Sequence, residues 1–301
     1  MERTGLRLRR RRRSCLSVPG SDAHKVEKAL ASDADEVVVD LEDAVAVGAK
    51  GSARAEVVRL LESQQLRDPE RIAVRVNAPG TPWCHLDVLA VAGLERPPGS
   101  VVLPKVQSPG DLAFAERLLD GAEAAAGTTR RTGVQALIET AAGVARVGEI
   151  ARSGGRLEAL VLGYADLAAS LGLRAEGEQL AALWLPCQTA LLVAARAAGL
   201  QAVDGPYLGV HDDEPFRAAV SRTRALGFDG RWAIHPAQVA ALNDLLSPSA
   251  DEVAHAEAVL AALEAANRQG SAGAVAVDGQ MLDEAVAAAA RRVLAAAGVS
   301  V

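Results

Sequence analysis

The sequence predicts a (β/α)8 barrel, or TIM barrel, with a C-terminal helical extension. Short apolar runs without alternation recur along the chain, which is typical of parallel strands that are buried on both faces. Eight such runs in 301 residues, most of them separated by helical patterning, match the size of this fold. A doubly wound open sheet is the alternative. It is disfavoured because no G-x-G-x-x-G follows a strand and because polar residues end nearly all eight runs.

The predicted strands, in chain order, are 14–18, 36–41, 72–76, 101–106, 134–139, 159–163, 200–204 and 231–235. Between most of them lie stretches with helical spacing, such as AHKVEKALAS, DLAFAERLLDGAEAA and GVARVGEIARSGG. These elements place the barrel domain at residues 13–246.

Two segments flank the predicted barrel. Residues 1–12 are strongly basic, but the apolar run that follows them is too short for a signal peptide, so we predict a disordered lead-in. A phosphate-steering arm is the alternative. Residues 247–301 contain two helical patterns separated by a glycine-containing break, and the first begins with a Ser249–Glu252 capping box. We expect this arm to pack on its own barrel or on a neighbouring subunit.

Composition excludes several classes of function. The net charge of -6 argues against nucleic-acid binding, which depends on Lys and Arg neutralising phosphates. No segment approaches the roughly 20 apolar residues that a membrane helix needs. The three cysteines, Cys15, Cys84 and Cys187, have no metal-type spacing and cannot all pair, which indicates a reducing cytoplasm.

Charged and small residues collect where the predicted strands end. In a barrel these carboxyl ends form the catalytic face. The residues are Pro19, Gly20, Asp40, Glu42, Asp43, Arg75, Asn77, Lys105, Glu139, Asp166, Asp204 and His235. For each acid the alternative is an ordinary helix cap, which we prefer for Asp43. For His235 we prefer a fixed turn before Pro236 over a catalytic role.

Glu139 and Asp166 are separated by one barrel unit, so we expect them to face each other across adjacent strand ends. Two carboxylates without nearby Cys or His indicate a hard cation, Mg²⁺ with Mn²⁺ possible, which would keep places for water and substrate oxygens. A proton-sharing acid/base pair is the alternative. Arg75 and Lys105 would hold an anionic substrate beside the metal.

A series of motifs carries a resemblance over residues 13–295: SVPGS, DLEDAV, RVNAPGTPW, VVLPKV, LIETAAG, GYADLAASLG, AARAAGLQAVDGPYLG, RALGFDGRWAIHP and DGQMLD. In this order they resemble the HpcH/HpaI aldolase and citrate lyase beta-subunit family. The match is closest to its CitE-like acyl-CoA lyase branch. The resemblance implies a TIM barrel that uses magnesium to cleave or form carbon–carbon bonds.

The resemblance also assigns roles to residues. Glu139 and Asp166 match the metal ligands, and Arg75 matches the arginine that binds the substrate's oxygen or carboxylate. Asp40 and Glu42 match acids around the metal's water network. Asp283 matches a general acid/base that comes from the tail of an adjacent subunit in acyl-CoA lyases, which implies a homotrimer or a multiple of it.

The implied reaction converts a short 3-hydroxyacyl-CoA, such as citramalyl-CoA or malyl-CoA, into an acyl-CoA and an α-oxo acid. The opening loop, with Pro19 and Gly20, would lie near coenzyme A, and Arg13 and Lys25 would contact its phosphates. For Lys25 a solvated helix charge is the alternative. Other functions left open are a citrate lyase beta subunit acting on a citryl-acyl-carrier protein, a pyruvate-type aldolase and a non-catalytic binding barrel.

Three positions bear on the branch and on departures from the family. Asp43 stands where pyruvate aldolases usually have His, which together with the tail favours the thioester branch. The sequence Gly163-Tyr164-Ala165-Asp166 lacks an acid that the family often has before the aspartate. The segment 184–189, WLPCQT, replaces an arginine-containing helix start, and we expect Pro186 to lie in the first turn of that helix.

Overall fold

Eight parallel strands form a closed barrel in which β1 pairs with both β2 and β8. The computed structural model describes residues 10–174, 177–268, 275–277 and 280–299. The barrel strands are β1 (Ser14–Pro19), β2 (Glu36–Asp40), β3 (Ile72–Arg75), β4 (Ser100–Leu103), β5 (Gly133–Ile138), β6 (Leu157–Leu162), β7 (Gln201–Asp204) and β8 (Gly230–Ala233). The predicted TIM barrel and its eight strands are confirmed.

Helices alternate with these strands or follow the last of them. They are α1 (Ala23–Leu30), α2 (Lys50–Glu62), α3 (Cys84–Ala92), α4 (Pro109–Ala126), α5 (Ala141–Ala145), α6 (Val147–Ser153), α7 (Tyr164–Leu171), α8 (Gly177–Ala197), α9 (Glu214–Leu226) and α10 (Val239–Leu245). Short 3₁₀ turns occur at Val47–Ala49, Pro69–Arg71 and Pro236–Gln238.

Local sequence explains where these helices begin and end, and α4 shows how. Ser108 and Asp111 form a capping box at its start, and Pro109 occupies the first turn, where its missing N–H costs nothing. Gly127 ends the helix at φ 66°, a left-handed conformation that glycine adopts without steric cost.

The expectation for Pro186 is wrong. This proline lies inside α8 rather than in its first turn, because the helix begins nine residues earlier, at Gly177. A proline has no N–H to donate to the carbonyl one turn back, so α8 continues with one backbone hydrogen bond fewer.

The barrel interior is divided into an apolar layer and a polar layer. The apolar layer consists of Cys15, Val38, Ala73, Val102, Leu137, Ala159, Val161, Val203 and Trp232. At the amino ends of the strands lie six polar residues that we call the amino-end network: Arg12, Glu36, Ser100, Gln135, Glu158 and Gln201.

Arg12 is the centre of the amino-end network. Its Nε donates to Glu36 Oε1 at 2.9 Å, its Nη2 donates to Glu158 Oε2 at 2.6 Å, and its Nη1 donates to Gln201. The Arg12 side chain is only 2% exposed. The prediction that the lead-in extends to residue 12 is therefore wrong at its end, since burying an arginine requires the partners that the barrel supplies. Residues 1–9 lie outside the described residues.

The chain divides into two compact units, one up to Asn243 and the other from Asp244 onward. The second unit contains α11 (Ala250–Arg268), an antiparallel pair of short strands, β9 (Val275–Val277) and β10 (Gln280–Leu282), and α12 (Glu284–Ala297). Its small core is formed by Ala256, Val259, Leu282, Ala290 and Leu294.

The two helices of this unit were predicted, and its two short strands were not. The Ser249–Glu252 capping box is confirmed, with reciprocal hydrogen bonds of 2.7 and 3.2 Å. The strands lie within the segment interpreted as a break, because three-residue strands are too short to show a periodic pattern. Among the residues that the structure describes, every helix is too short or too polar to span a lipid bilayer.

Removing the arginine of the amino-end network will destabilise the barrel. Arg12→Ala leaves the Glu36 carboxylate buried without its charged partner, so we expect the free energy of unfolding to fall by about 3–5 kcal/mol. Urea denaturation measures this quantity. Arg59→Ala is the control, because the Arg59 side chain is 66% exposed and its ion pair contributes at most about 1 kcal/mol. Equal losses in the two variants would contradict the central role of Arg12.

Candidate active site

Asp40 and Arg75 form an ion pair at the carboxyl ends of β2 and β3. Strand pairing places the two residues directly opposite each other. Arg75 Nε donates to Asp40 Oδ1 at 2.7 Å and Arg75 Nη2 donates to Asp40 Oδ2 at 2.6 Å, which is the two-pronged geometry that a guanidinium and a carboxylate favour. The Asp40 side chain is fully buried, so this pair fixes the direction of the arginine.

Asp40 also holds the loop that follows β2. Its oxygens accept hydrogen bonds from the backbone N–H groups of Glu42 at 2.8 Å and Ala44 at 2.9 Å. The expectation that Asp43 caps this turn is wrong, since Asp40 performs that role. The Asp43 side chain is 56% exposed and lies 3.9 Å from Arg75 Nη1 and 3.6 Å from Lys105 Nζ.

Lys105 connects the acids of neighbouring strands. Its Nζ donates to Glu42 Oε1 at 2.6 Å and lies 3.9 Å from Asp166 Oδ1, while its backbone N–H donates to Glu139 Oε1 at 2.9 Å. The residue has φ 53°, the left-handed region that a lysine seldom adopts. Backbone strain at such a position persists where surrounding contacts require it.

Glu139 and Asp166 lie on adjacent units, as predicted. Glu139 follows β5 and is buried, whereas Asp166 lies in the first turn of α7 with its side chain 38% exposed. Gly163, which precedes that helix, is required between them, because a Cβ there would lie 2.6 Å from Glu139 Oε2. Both acids are close to Lys105, through its backbone and its ammonium group respectively.

Crowded carboxylates shape the electrostatics of this face. Burial, together with the negative charges of Glu42 and Asp166, raises the pKa of Glu139 to about 8. Burial also raises the pKa of Glu42, against the lowering effect of Arg75. The Glu42 Oε2 atom is buried and lies 3.1 Å from Arg75 Nη1 without forming a hydrogen bond. A further cation beside these acids would therefore stabilise their ionised forms.

The donor set fits magnesium. Two carboxylates and no soft ligand suit a hard cation that keeps water or substrate oxygens in its other positions. In the described part of the chain, no three or more His, Cys, Asp or Glu residues are arranged to hold a metal ion by themselves. Glu139 and Asp166 would thus hold Mg²⁺ as a shared protein and substrate site.

The structure places the predicted coenzyme A contacts at different ends of the barrel. Gly20, next to Pro19, donates its N–H to Asp40 O at 2.8 Å, and a Cβ at this position would lie 2.9 Å from that oxygen. Lys25 lies in α1 and is exposed, with its Nζ 3.3 Å from Asp22. Arg13 precedes β1 at the amino end and bonds Asp35 at 2.7 Å, so its placement does not support a role at the catalytic face.

Two further predicted residues have structural roles. His235 Nδ1 accepts the N–H of Ala237 at 3.2 Å and caps the turn at Pro236, which confirms the preferred interpretation of this histidine. Asp283 belongs to the second unit, where its side chain caps α12 by accepting the N–H of Val286 at 3.0 Å. A catalytic role for Asp283 stays a prediction.

Sequence reasoning missed Trp232 and the hydrogen bonds of Tyr164, although it placed Tyr164 at the rim of the site. The Arg75 guanidinium lies 5.7 Å from the centre of the Trp232 ring, within the range of a cation–π interaction. Trp232 belongs to the apolar interior layer, so the signal would have been its inward position on β8. Tyr164 bonds Asp204 and Gln188, and the signal there was its departure from the family pattern.

Comparison with known proteins gives a family and several close relatives. The model of the HpcH/HpaI aldolase/citrate lyase family matches residues 13–236. An L-malyl-CoA/beta-methylmalyl-CoA lyase of Cereibacter sphaeroides is 37% identical over 88% of this chain and 88% of its own length. The citrate lyase subunit beta of Escherichia coli is 38% identical over 97% of this chain and 95% of its own.

A solved structure is also similar to this chain in fold and in sequence. The CitE protein of Mycobacterium tuberculosis, in complex with magnesium, acetoacetate and coenzyme A, superimposes with a TM-score of 0.75 and 32% sequence identity. The match covers 95% of this chain and 97% of that one.

Backbone strain at Lys105 can be separated from the loss of its charge. Lys105→Gly and Lys105→Ala both remove the ammonium group. Only glycine, which has no Cβ, adopts a positive φ without a steric clash. We therefore expect the glycine variant to be more stable by about 1 kcal/mol in urea denaturation. Equal unfolding midpoints would show that the backbone relaxes when the side chain is removed.

Proposed function

The chain belongs to the HpcH/HpaI aldolase/citrate lyase family, and from this premise we propose that it is a magnesium-dependent carbon–carbon lyase acting on a short 3-hydroxyacyl-CoA thioester. The products would be an acyl-CoA and an α-oxo acid. The lyase class is supported by relatives of both kinds, a malyl-CoA lyase and a citrate lyase subunit. Magnesium and coenzyme A are both present in the CitE complex of similar fold.

The observation that carries the proposal is the grouping of Glu139, Asp166 and Arg75 at the carboxyl end of the barrel. Two carboxylates for a hard cation lie close to a guanidinium whose direction is fixed by Asp40. A bound Mg²⁺ would stabilise negative charge that develops on a substrate oxygen. A substrate with adjacent carboxylate and hydroxyl oxygens suits this grouping, because Arg75 would pair with its negative charge and Mg²⁺ would bind its oxygens.

Arg75 would bind the oxygens of the α-oxo acid portion. The Asp40 pair uses its Nε and Nη2 atoms, while Nη1 faces Glu42 at 3.1 Å. Because Asp40 orients the guanidinium before substrate binds, little reorganisation is needed when charge develops in the transition state. Lys105, which contacts Glu42, offsets part of the acid charge that would otherwise repel an anionic substrate.

Cleavage requires a proton to leave and a proton to be delivered. The 3-hydroxyl gives its proton to solvent water as the C2–C3 bond breaks, C3 becomes the carbonyl carbon of the oxo acid, and the electron pair of the broken bond remains on the acyl-CoA as its enolate. Protonation at C2 then yields the acyl-CoA. We assign this last step to Asp283, supplied by the tail of an adjacent subunit in a cytoplasmic homotrimer or a multiple of it.

Coenzyme A would enter beside the loop after β1. Pro19 and Gly20 lie at the carboxyl end of that strand and contact Asp40 of the site through the backbone. Lys25 in the following helix is exposed and would contact a phosphate of the cofactor portion. Malyl-CoA and β-methylmalyl-CoA, the substrates in the names of relatives, are therefore the first thioesters to test, with citramalyl-CoA beside them.

A citrate lyase beta subunit is the second candidate. The Escherichia coli relative matches 97% of this chain, including the tail, so coverage does not separate the two functions. That enzyme class would use a citryl group on a carrier protein instead of a free thioester. A pyruvate-type aldolase is less well supported, because Asp43 replaces the usual histidine there.

The thioester panel tests the proposed function and its metal. We expect acyl-CoA release from malyl-CoA, β-methylmalyl-CoA or citramalyl-CoA with Mg²⁺ and none with excess EDTA. Glu139→Gln should lower kcat/KM by about 100-fold or more, because one carboxylate ligand is lost. Glu149→Gln, an exposed site on α6, is the matched control. Cleavage of a citryl carrier protein alone would favour the second candidate, and no cleavage of either would overturn the lyase proposal.

The proposed proton transfer by Asp283 can be tested separately from the role of this residue as a helix cap. Asp283→Asn keeps a side-chain oxygen that caps α12 but cannot exchange a proton. We expect kcat to fall by about 10²–10⁴-fold while the free energy of unfolding is retained. Asp251→Asn, an exposed acid in the first turn of α11, serves as the control. Full activity in Asp283→Asn would assign the proton transfer to another residue.

A further inference from the structure

Tyr164 begins α7, the helix that carries Asp166 in the same turn. Its hydroxyl donates to Asp204 and accepts a hydrogen bond from Gln188 Nε2 at 2.7 Å. The first turn of α7 is thus bound through one side chain to β7 and to α8.

Asp204 is a fixed partner for this hydroxyl. It ends β7, is fully buried, and accepts hydrogen bonds from Thr223 Oγ1 at 2.6 Å and Arg231 Nη1 at 3.0 Å. Its Oδ1 also accepts the N–H of Gly205 at 2.9 Å. A carboxylate with this many donors has little freedom to move, so the Tyr164 hydroxyl is held with it.

The ring of Tyr164 is held as well. Its centroid lies 4.9 Å from that of Trp184, with 48° between the ring planes. Gly205 makes room on another side, because a Cβ there would lie 2.5 Å from the tyrosine ring. Trp184 and Gln188 both belong to the WLPCQT segment of α8. Two departures from the family motif, Tyr164 and this segment, are therefore in direct contact.

The Asp166 carboxylate is not held by a hydrogen bond to Lys105, the cationic side chain beside it. Its Oδ1 lies 3.9 Å from Lys105 Nζ, too far for a hydrogen bond, so the backbone of the first turn decides where the carboxylate lies. That turn begins at Gly163, whose N–H donates to Ile138 O at 3.0 Å and whose Cα faces Glu139. The turn is therefore enclosed by Glu139 on one side and by the Tyr164 contacts on the other.

We propose that Tyr164 is a positioning residue that holds Asp166 at the correct separation from Glu139 for a shared cation. The proposal rests on the proposed function, because it assumes that the two carboxylates hold Mg²⁺. Tyr164 does not bind the cation itself. It acts on Asp166 through the first turn of α7, which its contacts hold in place. Because Tyr164 contacts Trp184 and Gln188, the WLPCQT segment of α8 also contributes to holding this turn.

The test is Mg²⁺ binding to the full-length protein, measured by isothermal titration calorimetry. Tyr164→Phe removes the hydroxyl and keeps the ring, and should weaken Mg²⁺ binding by about 10-fold, as expected when a group that orients a metal ligand is lost. The half-saturating Mg²⁺ concentration for lyase activity should rise by the same factor. Gln188→Leu should act in the same direction with a smaller effect. Tyr207→Phe is the matched control and should bind Mg²⁺ like the wild type.

Four results distinguish the possibilities. Weaker binding in Tyr164→Phe with an unchanged urea midpoint in EDTA supports positioning. Wild-type binding in Tyr164→Phe overturns the inference and leaves the lyase standing. Weaker binding that accompanies a lower urea midpoint than that of Tyr207→Phe assigns a merely structural role and also overturns it. A wild type that neither binds Mg²⁺ nor cleaves any thioester refutes the proposed function, and the inference with it.

Discussion

The buried ion pair between Asp40 and Arg75 determines the geometry of the catalytic face. Strand register places the two residues opposite each other, and both guanidinium prongs are used at 2.7 and 2.6 Å. The same carboxylate orders the loop that carries Glu42. Burying Asp40 without Arg75 would leave an uncompensated charge, so neither residue can change alone without a large cost. The direction of Arg75 and the position of Glu42 therefore have a common origin.

Charge balance at this face depends on Lys105 as much as on Arg75. Three acids from different strand ends, Glu42, Glu139 and Asp166, surround the lysine, which contacts the first two by hydrogen bonds. Burial first, and then the charges of Glu42 and Asp166, raise the pKa of Glu139 against the lowering effects of Lys105 and Arg75. An acidic site that remains under-compensated is suited to a divalent ion, whereas a fully paired one would resist it.

The sequence predicted the strands and the acids at their ends. Buried parallel strands are continuous apolar runs in the sequence, and the catalytic residues of a barrel follow directly at their carboxyl ends. It did not predict contacts that depend on packing between distant segments. Nothing local shows that Arg12 is buried against Glu36, or that Asp40 instead of Asp43 caps the loop. Arg13 was misplaced because a basic run shows charge but not which end of the barrel it meets. The φ of Lys105 likewise arises from tertiary contacts.

The amino-end network and the catalytic face lie at opposite mouths of the barrel, separated by the apolar interior layer. A five-residue strand spans roughly 17 Å, well beyond the distance at which substitutions influence each other energetically. Resistance to heat and choice of substrate are thus separable properties of this scaffold. An engineer can replace Arg12 and its partners with well-packed apolar side chains at one mouth and redesign specificity at the other, and the two sets of changes should combine additively.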